Sequence, residues 1–174
     1  MSAAFRTALI VALLHVAIVA TVGAKLLVDR AMRPRVWART APVDPDLPIR
    51  GRYVSLQVEV EPSGGLGAPP AGGAAAPWTG DWVPVALTVA GDRLAATPSP
   101  ASRLFVRAVP RDGGRAFLLA QPLAYFIPEH AADPSRRTPG EELWVEVTVP
   151  PRGAPRPIRL GVKKNGVLTP LELQ

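Results

Sequence analysis

Tyr53-Val54-Ser55-Leu56-Gln57-Val58-Glu59-Val60 alternates without a break: Val54, Leu56, Val58 and Val60 fall on one side, Tyr53, Ser55, Gln57 and Glu59 on the other. Side chains of an extended chain alternate between faces with a period of two, so this run reads as a half-buried strand. Working toward the C-terminus, Val83, Val85, Leu87 and Val89 repeat the pattern, and Gly91-Asp92 supplies a turn toward Leu94. Pro84 lacks a ladder donor, which places it at a sheet edge or a bulge. Leu104, Val106 and Ala108 alternate next, and Asp112-Gly113 reads as a hairpin turn before Ala116 to Leu119. Tyr125 to Ile127 is short and ends at Pro128. Leu143, Val145, Val147 and Val149 predict a late strand, and Ile158, Leu160 and Val162 another, with Asn165-Gly166 the strongest hairpin signal, leading to Val167-Leu168. After Arg39 no apolar spacing of i, i+3, i+4 and i+7 persists over three turns. The fold class is mainly β, a small β-barrel or β-sandwich of about seven or eight short strands.

In the other direction the period changes. Thr7 to Ala24, TALIVALLHVAIVATVGA, is a run of 18 residues without a formal charge, bounded by Arg6 and Lys25. At ~1.5 Å per residue such a helix is long enough for a bilayer core, and Leu26, Leu27 and Val28 extend it if Lys25 snorkels to the headgroups. The chain therefore reads as an N-terminal signal anchor or transmembrane helix at 1–28, a basic juxtamembrane segment at 29–40, and a β-domain at 41–174. A Gly/Pro/Ala-rich insertion at 62–80 is expected to be flexible, because it holds too little apolar surface to order itself. Two other readings exist for the first segment. A cleaved signal peptide would use Arg6 as its n-region and Val22-Gly23-Ala24 as the cut site, and a core helix would bury the run within the protein. The apolar block exceeds the ~7–15 residues of a usual h-region, which favours the uncleaved anchor. His15 is expected to be buried, neutral and packed against another helix rather than a proton relay.

The 174 residues carry a net charge of +6, with 21 Pro, 15 Gly and no Cys. Without cysteine there is no disulfide, thiolate nucleophile or Cys-type zinc site. Lys25, Arg30, Arg33, Arg35 and Arg39 form a collar suited to anionic headgroups, at about 1 kcal/mol per basic residue. Nucleic acid is not expected as a partner, since only Trp37 interleaves with these cations for base stacking. The collar also bears on orientation. The positive-inside rule would hold the large domain in the cytoplasm, whereas a short tail before a long apolar run is the layout of an anchor that exports the domain behind it.

Pro42 to Val60, PVDPDLPIRGRYVSLQVEV, resembles the bacterial family named after its GDYXXLXY motif. Gly51, Tyr53 and Leu56 match the motif, and Pro42 to Pro45 with Arg50 are similar to the approach to it. Arg52 stands where the motif has Asp, and Val58 where it has the last Tyr. Tyr125-Phe126-Ile127-Pro128-Glu129 and the hairpin at 158–166 resemble further family features. The resemblance implies a membrane-anchored β-domain of the bacterial inner membrane, single-pass and exposed outside the cytoplasm, of uncharacterised function. It implies no catalytic residue and no cofactor.

Physically, Asp44-Pro45 favours a turn, Pro48 an extended approach, and Gly51 a backbone angle other residues resist. These residues read either as a corner that feeds the first strand, with Leu56 toward the core, or as a partner-docking motif, Asp44, Arg50, Gly51, Tyr53 and Leu56, whose exposed patch is Asp44, Arg50 and Tyr53. Arg52 reverses the motif's local charge. Trp78, Trp82 and Trp144 are candidate stacking surfaces for a ligand or cell-wall glycan in a barrel mouth. Gly64-Gly65-Leu66-Gly67 has no helix after it and is no phosphate cradle. No metal site is expected: Glu129, His130 and Asp133 read as a solvated loop, and His130 is the one histidine outside the apolar run. A Ser–Lys protease would have to draw on Lys25, Lys163 or Lys164, poor places for a deprotonated amine. The leading expectation is a non-enzymatic accessory domain that binds a membrane or envelope protein, with membrane lipid contacted by residues 7–28. Glycan binding and a tethered protease are the alternatives.

Overall fold

The computed structural model describes residues 3–41, 53–67, 82–111, 114–128, 130–131 and 133–173. The chain divides into two compact units, Met1–Arg33 and Pro34–Gln174. Of the residues singled out from the sequence, Asp44, Arg50, Gly51, Trp78, the Asp112-Gly113 turn, Glu129 and the 68–80 portion of the insertion lie outside the described residues.

The first unit is one helix, α1 (Ala3–Met32). Its stretch Phe5–Val28, 24 residues, is long and apolar enough to cross a membrane, and none of it is buried, which removes the core-helix reading. Two polar side chains inside the run satisfy themselves on their own helix. His15 Nδ1 bonds the Val11 carbonyl at 2.7 Å and Thr21 Oγ1 donates to the Ala17 carbonyl at 2.7 Å. A helix in hydrocarbon needs that closure, because no water is present to accept what the side chains leave open.

The second unit holds eleven strands among the described residues: β1 (Arg35–Arg39), β2 (Tyr53–Leu56), β3 (Glu59–Pro62), β4 (Trp82–Ala90), β5 (Arg93–Pro98), β6 (Phe105–Arg111), β7 (Gly114–Leu119), β8 (Leu123–Phe126), β9 (Glu141–Thr148), β10 (Arg156–Lys164) and β11 (Val167–Pro170). They form a four-stranded sheet in the order β1-β9-β10-β11, a β2-β8 pair, and a closed barrel β3-β5-β4-β6-β7. All pairings are antiparallel except β3 with β5. One hydrophobic core runs through all three, with Leu56, Val58, Val85, Val106, Val145, Val147 and Leu160 fully enclosed. Burying a side chain of this kind contributes roughly 1.5–3 kcal/mol.

The class is the one expected; the Gly91-Asp92 turn leads into a full strand, β5, and two further strands are added, each for a physical reason. The Tyr53–Val60 run keeps its alternation, with Val54, Leu56, Val58 and Val60 all buried, yet it serves four partners. β2 pairs with β8, Val58 bridges Thr40, and β3 pairs with β7 and β5. Periodicity reports which face a residue occupies, and says nothing about which strand lies alongside. The second reason is β1. Residues 35–39, assigned to the basic juxtamembrane segment from their charge, are a sheet strand whose Val36 and Ala38 are buried. Two small apolar side chains between three large polar ones are too weak a signal against a run of arginines.

The 62–80 insertion also begins later than its composition suggests. Pro62 ends β3, residues 64–67 form a turn, and Leu66 is buried in the core. Gly67, at φ +79°, lies so close to Phe117 that a Cβ would meet its ring at 2.5 Å. Pro84 is neither at a free edge nor in a bulge. It marks the point where β4 passes from β6, paired through Pro84, to β5, paired from Val85. The missing donor falls at that exchange. Asn165 and Gly166 carry φ of 52° and 83°, the two positive angles that a two-residue hairpin of the I′ type demands, and they join β10 to β11.

Candidate functional site

Each strand of the four-stranded sheet sends alternate residues away from the core, and the register sets them side by side. Trp37 on β1 lies opposite Glu146 on β9, which lies opposite Arg159 on β10. Arg39, Trp144 and Gly161 make the next row, and Glu142 faces Lys163 in the row after. Cross-strand neighbours of this kind are close enough to interact directly, and they do. Arg159 Nε donates to Glu146 Oε2 at 2.7 Å while its guanidinium stands 5.3 Å from the Trp37 ring centre. Trp144 Nε1 donates to Glu142 Oε2 at 3.1 Å, and the Lys163 ammonium stands 4.5 Å from the Trp144 ring. Gly161 makes room for this packing, since a Cβ there would sit 2.9 Å from the Trp37 ring.

Where this face meets the barrel, a groove of about 540 Å³ opens, lined by Trp37 and Trp144 from the sheet and by Glu59, Glu61 and Arg93 from β3 and β5. Arg39 spans it, 2.8 Å from Glu142 and 3.9 Å from Glu59. Glu59 also accepts from Arg111 at 2.6 Å, and Glu61 from Arg93 at 2.6 Å. Burial lifts the Glu59 carboxyl above its ordinary range; Arg39 opposes that rise, and the neighbouring Glu142 and Glu61 add to it. Glu141, at the start of β9, moves the other way, held down by hydrogen bonds from Thr138 and Lys164.

A different surface surrounds the motif. Tyr53 and Phe126 face each other across the β2-β8 pair, ring centres 6.2 Å apart and edge to face. Phe126 is 75% exposed and Tyr53 38%, whereas Leu56 is fully buried. Tyr53 is thus on the surface and Leu56 in the core. Of the three expected stacking rings, Trp78 lies outside the described residues, and Trp82 does not join Trp144 in the lining of the groove. Trp144 lines the groove; Trp82 stands on β4 beneath Arg107, 5.6 Å from ring centre to guanidinium. Trp37, in sequence a lone ring among the cations of the basic collar, is the second indole of the groove. The signal for it is present in Arg35-Val36-Trp37-Ala38-Arg39, which alternates as a strand does.

The two C-terminal lysines are both engaged, Lys163 over Trp144 and Lys164 with Glu141 at 3.2 Å. Among the described residues no group of three or more His, Cys, Asp or Glu is arranged to hold a metal.

The family model described as GDYXXLXY protein matches residues 16–160, taking in the second half of α1 and the sheet, pair and barrel as far as β10. The chain belongs to the GDYXXLXY family. In this GDYXXLXY protein the motif tyrosine, Tyr53, is the ring that meets Phe126, and the motif leucine, Leu56, is a core residue. No curated protein and no solved structure matches the chain.

Proposed function

We propose that this GDYXXLXY protein is a non-enzymatic accessory domain, held at the bacterial inner membrane by α1, that docks a membrane or envelope protein through the Tyr53–Phe126 surface. The observation that carries the reading is the exposure of Phe126. A phenyl ring three-quarters open to water, braced edge-on by a tyrosine, is the kind of anchor around which protein interfaces concentrate their binding energy. The tether supports it: confining both proteins to one membrane raises their effective concentration without any added contact. In this reading the β-domain is extracytoplasmic, with α1 as an uncleaved signal anchor.

The test is site-specific photocrosslinking from position 126 in intact cells. A discrete protein adduct, absent when the probe is moved to exposed Val167 on β11 and lost with Tyr53→Ala, supports docking. Adducts to lipid alone, or an identical ladder from both positions, would end the proposal. A reporter fused after Gln174 that is active only in the cytoplasm would overturn the orientation.

A further inference from the structure

We infer that the groove between β1, β9 and the barrel is a second and separate site, one that binds a neutral glycan. Its size comes first. At about 540 Å³ it lies within the ~300–1,000 Å³ range of small-ligand sites. Two indoles, Trp37 and Trp144, both line it, and an indole offers an apolar face on which the C–H side of a sugar ring stacks.

Charge then narrows the ligand. Three cations and four carboxylates line the groove, so an anionic polymer meets the carboxylates and a basic peptide meets the cations. Neither finds a surface of opposite sign. What the groove offers instead is an alternation of donors and acceptors whose positions are already fixed. Arg39 is held by Glu142 at 2.8 Å, and Arg93 by Glu61 at 2.6 Å. Glu61 uses one oxygen for Arg93, and Glu142 takes Arg39 on one oxygen and Trp144 Nε1 on the other, out of about four acceptor positions on each carboxylate. Glu59, whose second oxygen is 3.9 Å from Arg39, too far for a hydrogen bond, keeps acceptor capacity on the groove side. A hydroxyl group both gives and accepts a hydrogen bond, which matches alternating guanidinium and carboxylate groups as no purely anionic or cationic ligand does. Because the ion pairs orient these groups beforehand, little ordering remains to be done when a ligand arrives.

Lys163 completes the arrangement. Its ammonium rests 4.5 Å from the Trp144 ring centre on a four-carbon stem, and it is displaced when a sugar takes that ring. The inference stands apart from the Tyr53–Phe126 docking surface, where two aromatic rings lie on a different pair of strands.

The experiment uses the full-length chain in detergent micelles. Indole fluorescence and calorimetry follow titration with chitohexaose, cellohexaose and maltohexaose, alongside an anionic polysaccharide and an oligolysine peptide. Saturable binding of at least one neutral oligosaccharide is expected, insensitive to salt. Trp144→Ala should weaken it about five- to tenfold, the loss of one aromatic contact. Glu61→Gln, on the open side of the groove, should weaken it about threefold and leaves the sheet untouched, so it decides the matter if Trp144→Ala fails to fold. Tyr53→Ala should leave glycan binding unchanged while abolishing the protein adduct formed from position 126, which separates failure of one site from failure of the other. The proposal is overturned if no neutral oligosaccharide binds. Binding indifferent to Trp144→Ala and Glu61→Gln would also overturn it, as would binding confined to the charged polymers and erased by salt.

Discussion

The two faces of the β1-β9-β10 sheet are written by the same alternation and are held together by different physics. The inner face is Val36, Ala38, Leu143, Val145, Val147 and Leu160, each 7% exposed or less. The outer face is Trp37, Arg39, Glu142, Trp144, Glu146, Arg159 and Lys163, connected by cation–aromatic contacts and ion pairs. Hydrophobic burial is non-directional, so the inner face tolerates exchange of one apolar side chain for another of similar volume. The outer contacts depend on geometry, and they exist only if the strands pair in this register. The inner face therefore supplies most of the stability, and the outer face ties specific residues to specific positions around the groove.

That division can be broken most forcefully from inside. Leu160 is fully buried between the sheet and the rest of the core. Leu160→Ala should destabilise the β-unit by about 2–5 kcal/mol, the loss of burial plus a cavity. A denaturant midpoint close to wild type would show that the core closes around the gap. Next in size is Gly161→Ala, which places a methyl group 2.9 Å from the Trp37 ring on the outer face. Trp37 must tilt or the strands must shift, at a cost of about 1–3 kcal/mol, and the Arg159–Trp37 contact should disappear from NMR spectra. If Gly161→Ala proves neutral, Trp37 is less firmly seated than its packing indicates. Glu146→Gln comes third. Glu146 is nearly buried, but its partner Arg159 is half exposed and can turn to water. The expected loss is at most about 1 kcal/mol. A loss of several would mean that the outer face carries stability after all.

How much of this is legible in the sequence depends on which physical signal each element leaves there. α1 and the outlines of β4, β9, β10 and β11 are readable, because a long apolar run and a strict period of two are local properties. The Asn165-Gly166 turn is readable for the same reason, since two positive φ angles restrict composition. Partner exchange is not. Val58 looks like the third inward residue of one strand, and nothing local to it reveals that the chain passes there from β8 to the barrel. β1 is hidden by its arginines. Their role as outer-face partners appears only once Glu142 and Glu59, distant in sequence, are brought beside Arg39. The groove is half visible: Trp144 can be placed on a polar face from its alternation, while its pairing with Trp37 is a matter of tertiary register. Trp82 is the converse case, a ring with the right chemistry that the barrel carries elsewhere, beneath Arg107.

The smallest effects come from the carboxylates, and they sharpen the comparison because two of them should respond to pH with opposite sign. Glu59 is raised from its ordinary value of 4.5, chiefly by burial. Its folded form holds a proton that the unfolded chain has already released, so its contribution to stability falls as pH climbs from 4.5 through the raised value. Below that window both states are protonated and the penalty is absent. Glu141 is lowered from the same value by bonds from Thr138 and Lys164. Its contribution is present above the ordinary range and is lost as pH falls through the folded value. Chemical denaturation of Glu59→Gln and Glu141→Gln against wild type across the acidic range separates the two. The Glu59→Gln difference should move in favour of the variant as pH rises, and the Glu141→Gln difference against it. Parallel slopes would mean that burial does not govern Glu59.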